Sequence, residues 1–118
     1  MTDRVNALIS LLFDTTATIS EQDDAAMYLS EFPEANVVTA LIAKSRDLNE
    51  DKIILNSCGE SLGSIWVQQN IFDQEIFHSL SRTARHGVYF VVKSIKPEWV
   101  KLYNLDAERF WTEKKEVQ

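Results

Sequence analysis

The chain has 118 residues, of which 45% are hydrophobic and 25% charged, with only 3 glycines, 2 prolines and a formal net charge of −6. This length suits one domain, expected over residues 1–118, and the apolar content excludes an intrinsically disordered chain. The shortage of Gly and Pro argues against a sandwich or barrel, whose many turns consume those residues.

Apolar residues recur at i, i+3, i+4 and i+7 along the first part of the chain, which predicts amphipathic helices. These helices span residues 3–13, 21–31, 35–46 and 51–69. Ser20 is the predicted N-cap of the second helix, since its hydroxyl can accept a free backbone N–H of the first turn. The residues expected to face the core are Val5, Leu8, Ile9, Leu12, Ala25, Ala26, Leu29, Val37, Val38, Leu41, Ile42, Ile54, Cys58, Leu62, Ile65 and Trp66.

Two further helices are predicted in the second half. Asp73 caps a fifth helix that runs through Leu80. Ser81 caps a sixth helix, which Lys96-Pro97 ends because the residue before a proline avoids the helical region.

Two parts of the second half leave alternatives open. Residues 88–92 are β-branched and aromatic, so a strand competes with the helix there. Helix is preferred, because a single strand would find no partner elsewhere. The tail from about residue 97 is less regular, and residues 105–111 could form one more short helix. Its aromatic residues are expected to cap the core rather than form an interface: Trp99, Tyr103, Phe110 and Trp111.

The net charge lies entirely in the first half of the chain. Residues 1–59 contain ten acidic and four basic residues, whereas residues 60–118 contain eight of each. An acidic surface repels phosphate backbones, so we expect no nucleic-acid partner and regard a basic protein as the better one. A solvated face that serves only solubility is the alternative.

Cys58 is the single cysteine, so neither an intramolecular disulfide nor a paired-cysteine metal site can form. Its place on the apolar stripe predicts a small buried hydrophobe. No stretch approaches the ~20 apolar residues that a membrane helix needs. The start of the chain also lacks the features of a secretory signal. We therefore expect a cytoplasmic protein with no membrane partner.

Residues 59–63 read Gly-Glu-Ser-Leu-Gly, a literal G-x-S-x-G motif. In α/β-hydrolases this motif places the serine on a strained strand-to-helix turn. Asp73 and a later histidine follow in the order that a catalytic triad would need. However, the chain is too short for that fold, and no glycine-rich oxyanion segment precedes the serine. We expect Ser61 to be structural and the chain to hold no catalytic residue, with a small serine hydrolase as the remote alternative.

His78 and His86 are eight residues apart and would share one side of a continuous helix. Asp73 or Glu75 would have to supply further ligands for a metal. The spacing typical of a zinc site is absent. We expect ordinary histidines, no metal and no cofactor.

An internal repeat relates the second and fourth predicted helices. Residues 25–32 align with residues 58–65 at an offset of 33, so that Leu29 matches Leu62. Each half contains a helix with small residues, a loop and a second apolar helix. Periods of this length built from helix pairs are typical of α-solenoids. The sequence therefore predicts an all-α fold, a short α-solenoid of antiparallel helix pairs.

This repeat resembles the HEAT-repeat family in its small-residue first helices. Three motifs are similar, in order, to those of short HEAT-like bacterial immunity proteins of contact-dependent growth inhibition systems. They are EQDDAAM at 21–27, SCGES at 57–61 followed by Ile65-Trp66, and KPEW at 96–99. The similarity covers about residues 3–100. It implies a non-enzymatic protein that binds and neutralises one cognate toxin domain. Many such toxins are basic nucleases, which matches the acidic first half. A general HEAT-like adaptor with an endogenous partner is the alternative.

The outward sides of the second and fourth helices are the predicted binding surface. Carboxylates around an exposed methionine can accept hydrogen bonds from Arg or Lys side chains of a partner. A solvated helix face is the alternative. The predicted toxin-binding residues are Asp23, Asp24, Met27, Glu31, Asn56, Glu60 and Ser64.

Overall fold

The computed structural model describes residues 2–106, and all regular secondary structure in that range is helical. The elements are α1 (Thr2–Leu12), α2 (Ile19–Tyr28), a 3₁₀ turn (Leu29–Glu31), α3 (Ala35–Ser45), α4 (Lys52–Gln69), α5 (Gln74–Ser79), α6 (Arg82–Ile95) and α7 (Glu98–Leu102). The prediction of an all-α fold is confirmed for this part of the chain. The competing strand at 88–92 is wrong, because those residues lie inside α6.

The start of α2 differs from the prediction. Thr18, rather than Ser20, is the N-cap, and its hydroxyl accepts the backbone N–H of Glu21 at 3.0 Å. The Glu21 carboxylate in turn accepts the N–H of Thr18 at 2.8 Å, which completes a capping box. This reciprocal pair satisfies two backbone donors where Ser20 would satisfy one. The end of this helix also differs from the predicted 21–31: the α-helix ends at Tyr28, and residues 29–31 form the 3₁₀ turn.

The caps predicted for the fifth and sixth helices are confirmed. The Asp73 carboxylate accepts the N–H of Ile76 at 3.0 Å, and the Ser81 hydroxyl accepts the N–H of Ala84 at 3.1 Å. α5 ends one residue earlier than predicted, at Ser79. α7 was not predicted, because five residues are too few for a helical period to show in the sequence.

Helix α4 lies between α2 and α6, and its contacts on both sides show that the three helices run in the same direction. Towards α2, the Ser57 hydroxyl donates a hydrogen bond to the Asp23 carboxylate, and the Ser61 hydroxyl donates one to the carbonyl of Ala26. Towards α6, Gly59 lies against Ala84 and Gly63 lies against Val88. Since the residue numbers rise together at both contacts, α2, α4 and α6 are parallel. The chain returns between them through α3 and α5.

Two apolar cores lie on either side of α4. One packs α1, α2 and α3 against it, and the other packs α5, α6 and the segment after them. Twelve of the predicted core residues are buried: Val5, Leu12, Ala25, Ala26, Leu29, Val37, Leu41, Ile54, Cys58, Leu62, Ile65 and Trp66. The other four, Leu8, Ile9, Val38 and Ile42, are partly buried.

The segment after α6 closes the second core. Trp99 is buried, as predicted, and Leu105 is buried beside it. The half-buried Tyr103 ring stacks on Phe72 with ring centroids 4.7 Å apart. Phe110, Trp111 and most of the predicted helix at 105–111 lie outside the described residues.

A buried ion pair fixes the turn between α3 and α4. The Lys44 ammonium, almost fully buried, pairs with the Glu50 carboxylate and lies 4.9 Å from the centre of the Phe13 ring. Burial alone would raise the pKa of the Glu50 carboxyl. The hydrogen bond and charge of Lys44, with the N–H of Asp51, outweigh burial and hold that pKa below its ordinary value of 4.5.

This pair makes part of the fold stability dependent on pH. Because the pKa of Glu50 is lower in the folded chain than in the unfolded one, its contribution is present above about pH 4.5 and is lost as the pH falls through the folded-state pKa. We expect Glu50→Gln to lower the free energy of unfolding at pH 7 by ~2 kcal/mol. Urea unfolding should show this difference shrinking in acid, whereas exposed Glu75→Gln should have little effect at either pH. A Glu50→Gln difference that is the same at both pH values would contradict the assignment.

Candidate functional site

The exposed side of α2 and the 3₁₀ turn that follows it carry three of the predicted binding residues. Asp24, Met27 and Glu31 are all exposed, and the Met27 side chain retains 53% of its accessible surface. Asp24 and Met27 are three residues apart on α2 and therefore share one face of that helix. Glu31 follows at the end of the 3₁₀ turn. A thioether and two carboxylates therefore face solvent along this segment.

Asp23 lies at the junction between α2 and α4 and is only partly exposed. Its carboxylate accepts a hydrogen bond from the Ser57 hydroxyl of α4. The prediction that Asp23 faces freely outward is therefore wrong. Ser57 was not predicted as part of this surface, although the repeat aligns its neighbour Asn56 with Asp23.

The α4 residues of the predicted surface are recessed. Asn56, Glu60 and Ser64 are each half-buried rather than fully outward, because α4 has a helix on both sides. The Asn56 amide donates to the Glu60 carboxylate at 3.2 Å. The Gln68 amide donates to the Ser64 hydroxyl at 3.4 Å. These side chains are therefore held in place before any partner arrives.

Together these residues form one surface, which we call the acidic face. It comprises Asp23, Asp24, Met27, Glu31, Asn56, Glu60 and Ser64. Its outer ridge, Asp24, Met27 and Glu31, is on α2 and the 3₁₀ turn, and its floor is on α4. The ridge carboxylates remain hydrated, so a partner cation can reach them at little desolvation cost. The Glu60 carboxylate of the floor and the Asp23 carboxylate at the α2–α4 junction are already oriented by hydrogen bonds, which suits them to accept from guanidinium or ammonium donors.

The G-x-S-x-G motif lies inside α4, so the strand-to-helix turn that a hydrolase requires is not formed. Ser61 is 3% exposed, and its hydroxyl donates to the Ala26 carbonyl at 2.6 Å. Gly59 and Gly63 are close-contact positions against α6. Ser61 thus joins α4 to α2.

We expect Ser61→Ala to lower the free energy of unfolding by ~1 kcal/mol, the usual worth of a lost internal hydrogen bond. A fluorophosphonate probe should not label the wild-type chain, because the Ser61 hydroxyl is buried and engaged. The measurement is urea unfolding together with mass spectrometry of the probe-treated protein. Stoichiometric labelling that disappears in Ser61→Ala would revive the hydrolase alternative.

The other residues considered for chemistry are dispersed. His78 lies on α5 and His86 on α6, so the two histidines do not share one continuous helix. Burial raises the pKa of the Cys58 thiol to about 12, so this cysteine stays protonated. Partial burial, followed by the charges of Arg82 and Arg85, lowers the pKa of His86. Among residues 2–106, no three His, Cys, Asp or Glu side chains are placed to hold a metal ion.

No family model, curated protein or solved structure matches this chain. Within the described range, no helix combines the length and apolar character needed to cross a bilayer. The candidate functional site is therefore argued from the acidic face itself. Most of this face lies in residues 1–59, the half of the chain that carries all the net charge.

Proposed function

We propose that this chain is an immunity protein that binds a cognate, basic toxin domain and blocks its active site or substrate surface. The observation that carries the proposal is the exposed Asp24, Met27 and Glu31 ridge. It lies in residues 1–59, whose net charge is −6. The motif resemblance to immunity proteins of contact-dependent growth inhibition systems points to the same partner.

We further propose that the helices form a short α-solenoid of HEAT-like pairs. The parallel course of α2, α4 and α6 supports this arrangement, because equivalent helices of successive repeats run in the same direction. The 34-residue separation of Asp23 and Ser57 lies close to the predicted repeat offset. Such stacks expose a continuous surface across neighbouring repeats, and the acidic face spans two of them.

The proposed mechanism is competition with phosphate. A nuclease presents lysines and arginines around its active site to hold RNA or DNA. Carboxylates of the acidic face would take the place of phosphates there and exclude the substrate. Met27 would supply an adaptable apolar contact at the centre of the ridge. This function needs no cofactor and no catalytic residue, and we place it in the cytoplasm.

The two layers of the acidic face would contribute differently. Asp24 and Glu31, on the exposed ridge, would attract the toxin over a distance and raise the association rate. Asp23 and Glu60 are already held by Ser57 and Asn56. The Asp23 and Glu60 side chains therefore lose less conformational freedom when the toxin binds, which lowers the entropic cost of binding.

The test reverses the ridge charges. Asp24→Lys with Glu31→Lys is expected to weaken toxin binding at least ~10-fold, mainly through slower association, while the helical circular dichroism spectrum is unchanged. These positions are chosen over Asp23 because reversal there would also break the α2–α4 contact. Binding is measured by surface plasmon resonance across a salt series. The association rate of the wild type should fall as salt rises.

The matched control is Glu75→Lys with Glu98→Lys, which makes the same net charge change at two exposed positions outside the acidic face. It should slow association less than the ridge reversal does. Equal effects of the two variants would show that net charge, rather than this face, guides binding. Binding indifferent to both the ridge reversal and salt would show that the acidic face is only a solvated surface.

A further inference from the structure

Helix α6 continues the surface on which the acidic face lies. A Cβ on Gly87 would meet the backbone of Asn56 and Glu60, two residues of the α4 floor, so this side of α6 borders the floor. Phe90 is three residues after Gly87 and therefore lies on the same side of α6. The residues two positions before and after it are buried in the second core, on the opposite side of the helix. Phe90 retains 62% of its accessible surface, so an aromatic ring faces solvent beside the floor.

Met27 borders the same floor from the α2 side. It lies one turn after Asp23, which bonds α4, and follows the carbonyl that accepts the Ser61 hydrogen bond. The residue after Phe90 lies against Gly63. Both apolar side chains are therefore within about one helical turn, ~5 Å along the axis, of the middle of α4. A carboxylate lies between them, and we call the three residues the transverse strip: Met27, Glu60 and Phe90.

The basic residues of α6 do not neutralise this strip. The Lys93 ammonium lies over the Tyr89 ring at 5.6 Å, and that ring packs against the second core, away from the acidic face. Arg82 is about 12 Å before the phenylalanine along the helix axis. Partial burial lowers the pKa of His86, which is therefore uncharged at pH 7. The charge at the centre of the strip is the Glu60 carboxylate.

We propose that the transverse strip binds a helix of a partner protein that carries an arginine or lysine between two apolar side chains. The cation would bond Glu60, whose two oxygens can accept further hydrogen bonds beside the one from Asn56. The apolar side chains would cover Met27 and Phe90 and exclude water from the ion pair, which strengthens it. We take this partner to be the toxin, and that identity rests on the proposed function.

The dimensions of the strip match a helix that crosses α4. Packed helix axes are ~8–10 Å apart, so the axes of α2 and α6 are separated by ~16–20 Å. Side chains four residues before and after a central one span ~12 Å along a helix. The long Met27 and Phe90 side chains can reach across the remainder. This is the common mode in which an amphipathic helix docks on a helical surface.

A peptide titration of the isotope-labelled full chain, followed by NMR, tests the strip itself. The probe is a helical peptide with one arginine and a leucine four residues to either side, and the control peptide has serines in place of the leucines. The probe should bind with a Kd of ~1 mM or below and shift amide signals around the strip. Phe90→Ser should weaken binding at least ~5-fold. Leu102→Ser, at a residue that is 68% exposed on α7, should not.

The control peptide should bind at least ~5-fold more weakly than the probe, because it cannot cover the two apolar side chains. A wild-type chain that does not bind the probe would overturn the inference. Equal binding of the probe to the wild type and Phe90→Ser would overturn it as well.

Surface plasmon resonance with the toxin domain separates this inference from the proposed function. Phe90→Ser should weaken toxin binding at least ~10-fold through faster dissociation, whereas the ridge reversal acts on association. A toxin that binds the wild type and Phe90→Ser equally would overturn the inference and leave the immunity function standing. A toxin that does not bind the wild type, while the arginine peptide does, would contradict the immunity function and support the strip.

Discussion

Gly59→Ala is expected to destabilise the fold by about 3 kcal/mol or more, because it forces atoms into the contact between α4 and α6. A Cβ at position 59 would lie 2.1 Å from the carbonyl oxygen of Ala84 and 2.8 Å from its carbonyl carbon. These are backbone atoms, which cannot swing aside as the end of a flexible side chain can. The helices would have to separate. Elsewhere in a helix the same change stabilises by ~1 kcal/mol, so the expected sign is reversed here.

Two other glycines provide the comparison. A Cβ on Gly87 would lie 2.4 Å from the carbonyl oxygen of Asn56, so Gly87→Ala should be similarly damaging. A Cβ on Gly63 would lie 3.1 Å from Val88 Cα, so Gly63→Ala should cost less. Urea unfolding of the three variants gives the free energies. A Gly59→Ala chain at least as stable as the wild type would show that α4 and α6 are not in this contact.

Trp99→Ala is expected to cost about 3–5 kcal/mol, the usual loss for truncating a buried tryptophan. Trp99 is 5% exposed, and its ring centroid lies 5.6 Å from Phe72 and 5.9 Å from Tyr103. The Lys96 ammonium lies over the same ring at 5.2 Å. Removing the indole would leave a cavity in the second core and would release the segment after α6 from it.

The matched control lies on the same short helix. Leu102 is 68% exposed, so Leu102→Ala should change the free energy of unfolding by less than ~0.5 kcal/mol. Both variants are measured by urea unfolding of the full chain. If Trp99→Ala and Leu102→Ala lowered the free energy of unfolding by similar amounts, Trp99 would not be the residue that closes the second core.

The helices were predictable where the deciding interactions are local. Asp73 and Ser81 cap the helices that they were predicted to cap, because a cap joins residues two or three positions apart. Thr18 was missed in favour of Ser20, although Glu21 three residues after Thr18 is the sequence signature of a capping box.

The acidic face was predictable only for the outward side of α2, and not for Asp23 on the same helix. The exposure of Asp24 and Met27 follows from the helical period alone. The recessed position of Glu60 depends on the helices on both sides of α4, which no local pattern in the sequence specifies. The bond from Ser57 to Asp23 was missed for the same reason, since it joins residues 34 positions apart.

The most direct test looks immediately upstream of this chain for a gene that encodes a toxin-bearing surface protein, and measures growth of bacteria that express the toxin domain found there. Co-expression of the wild-type chain should restore growth, and the two proteins should purify together. The Asp24→Lys, Glu31→Lys variant should lose both effects at low expression, whereas the Glu75→Lys, Glu98→Lys control should retain them. Growth arrest despite a folded wild-type chain, with no complex between the two proteins, would contradict the proposed immunity function.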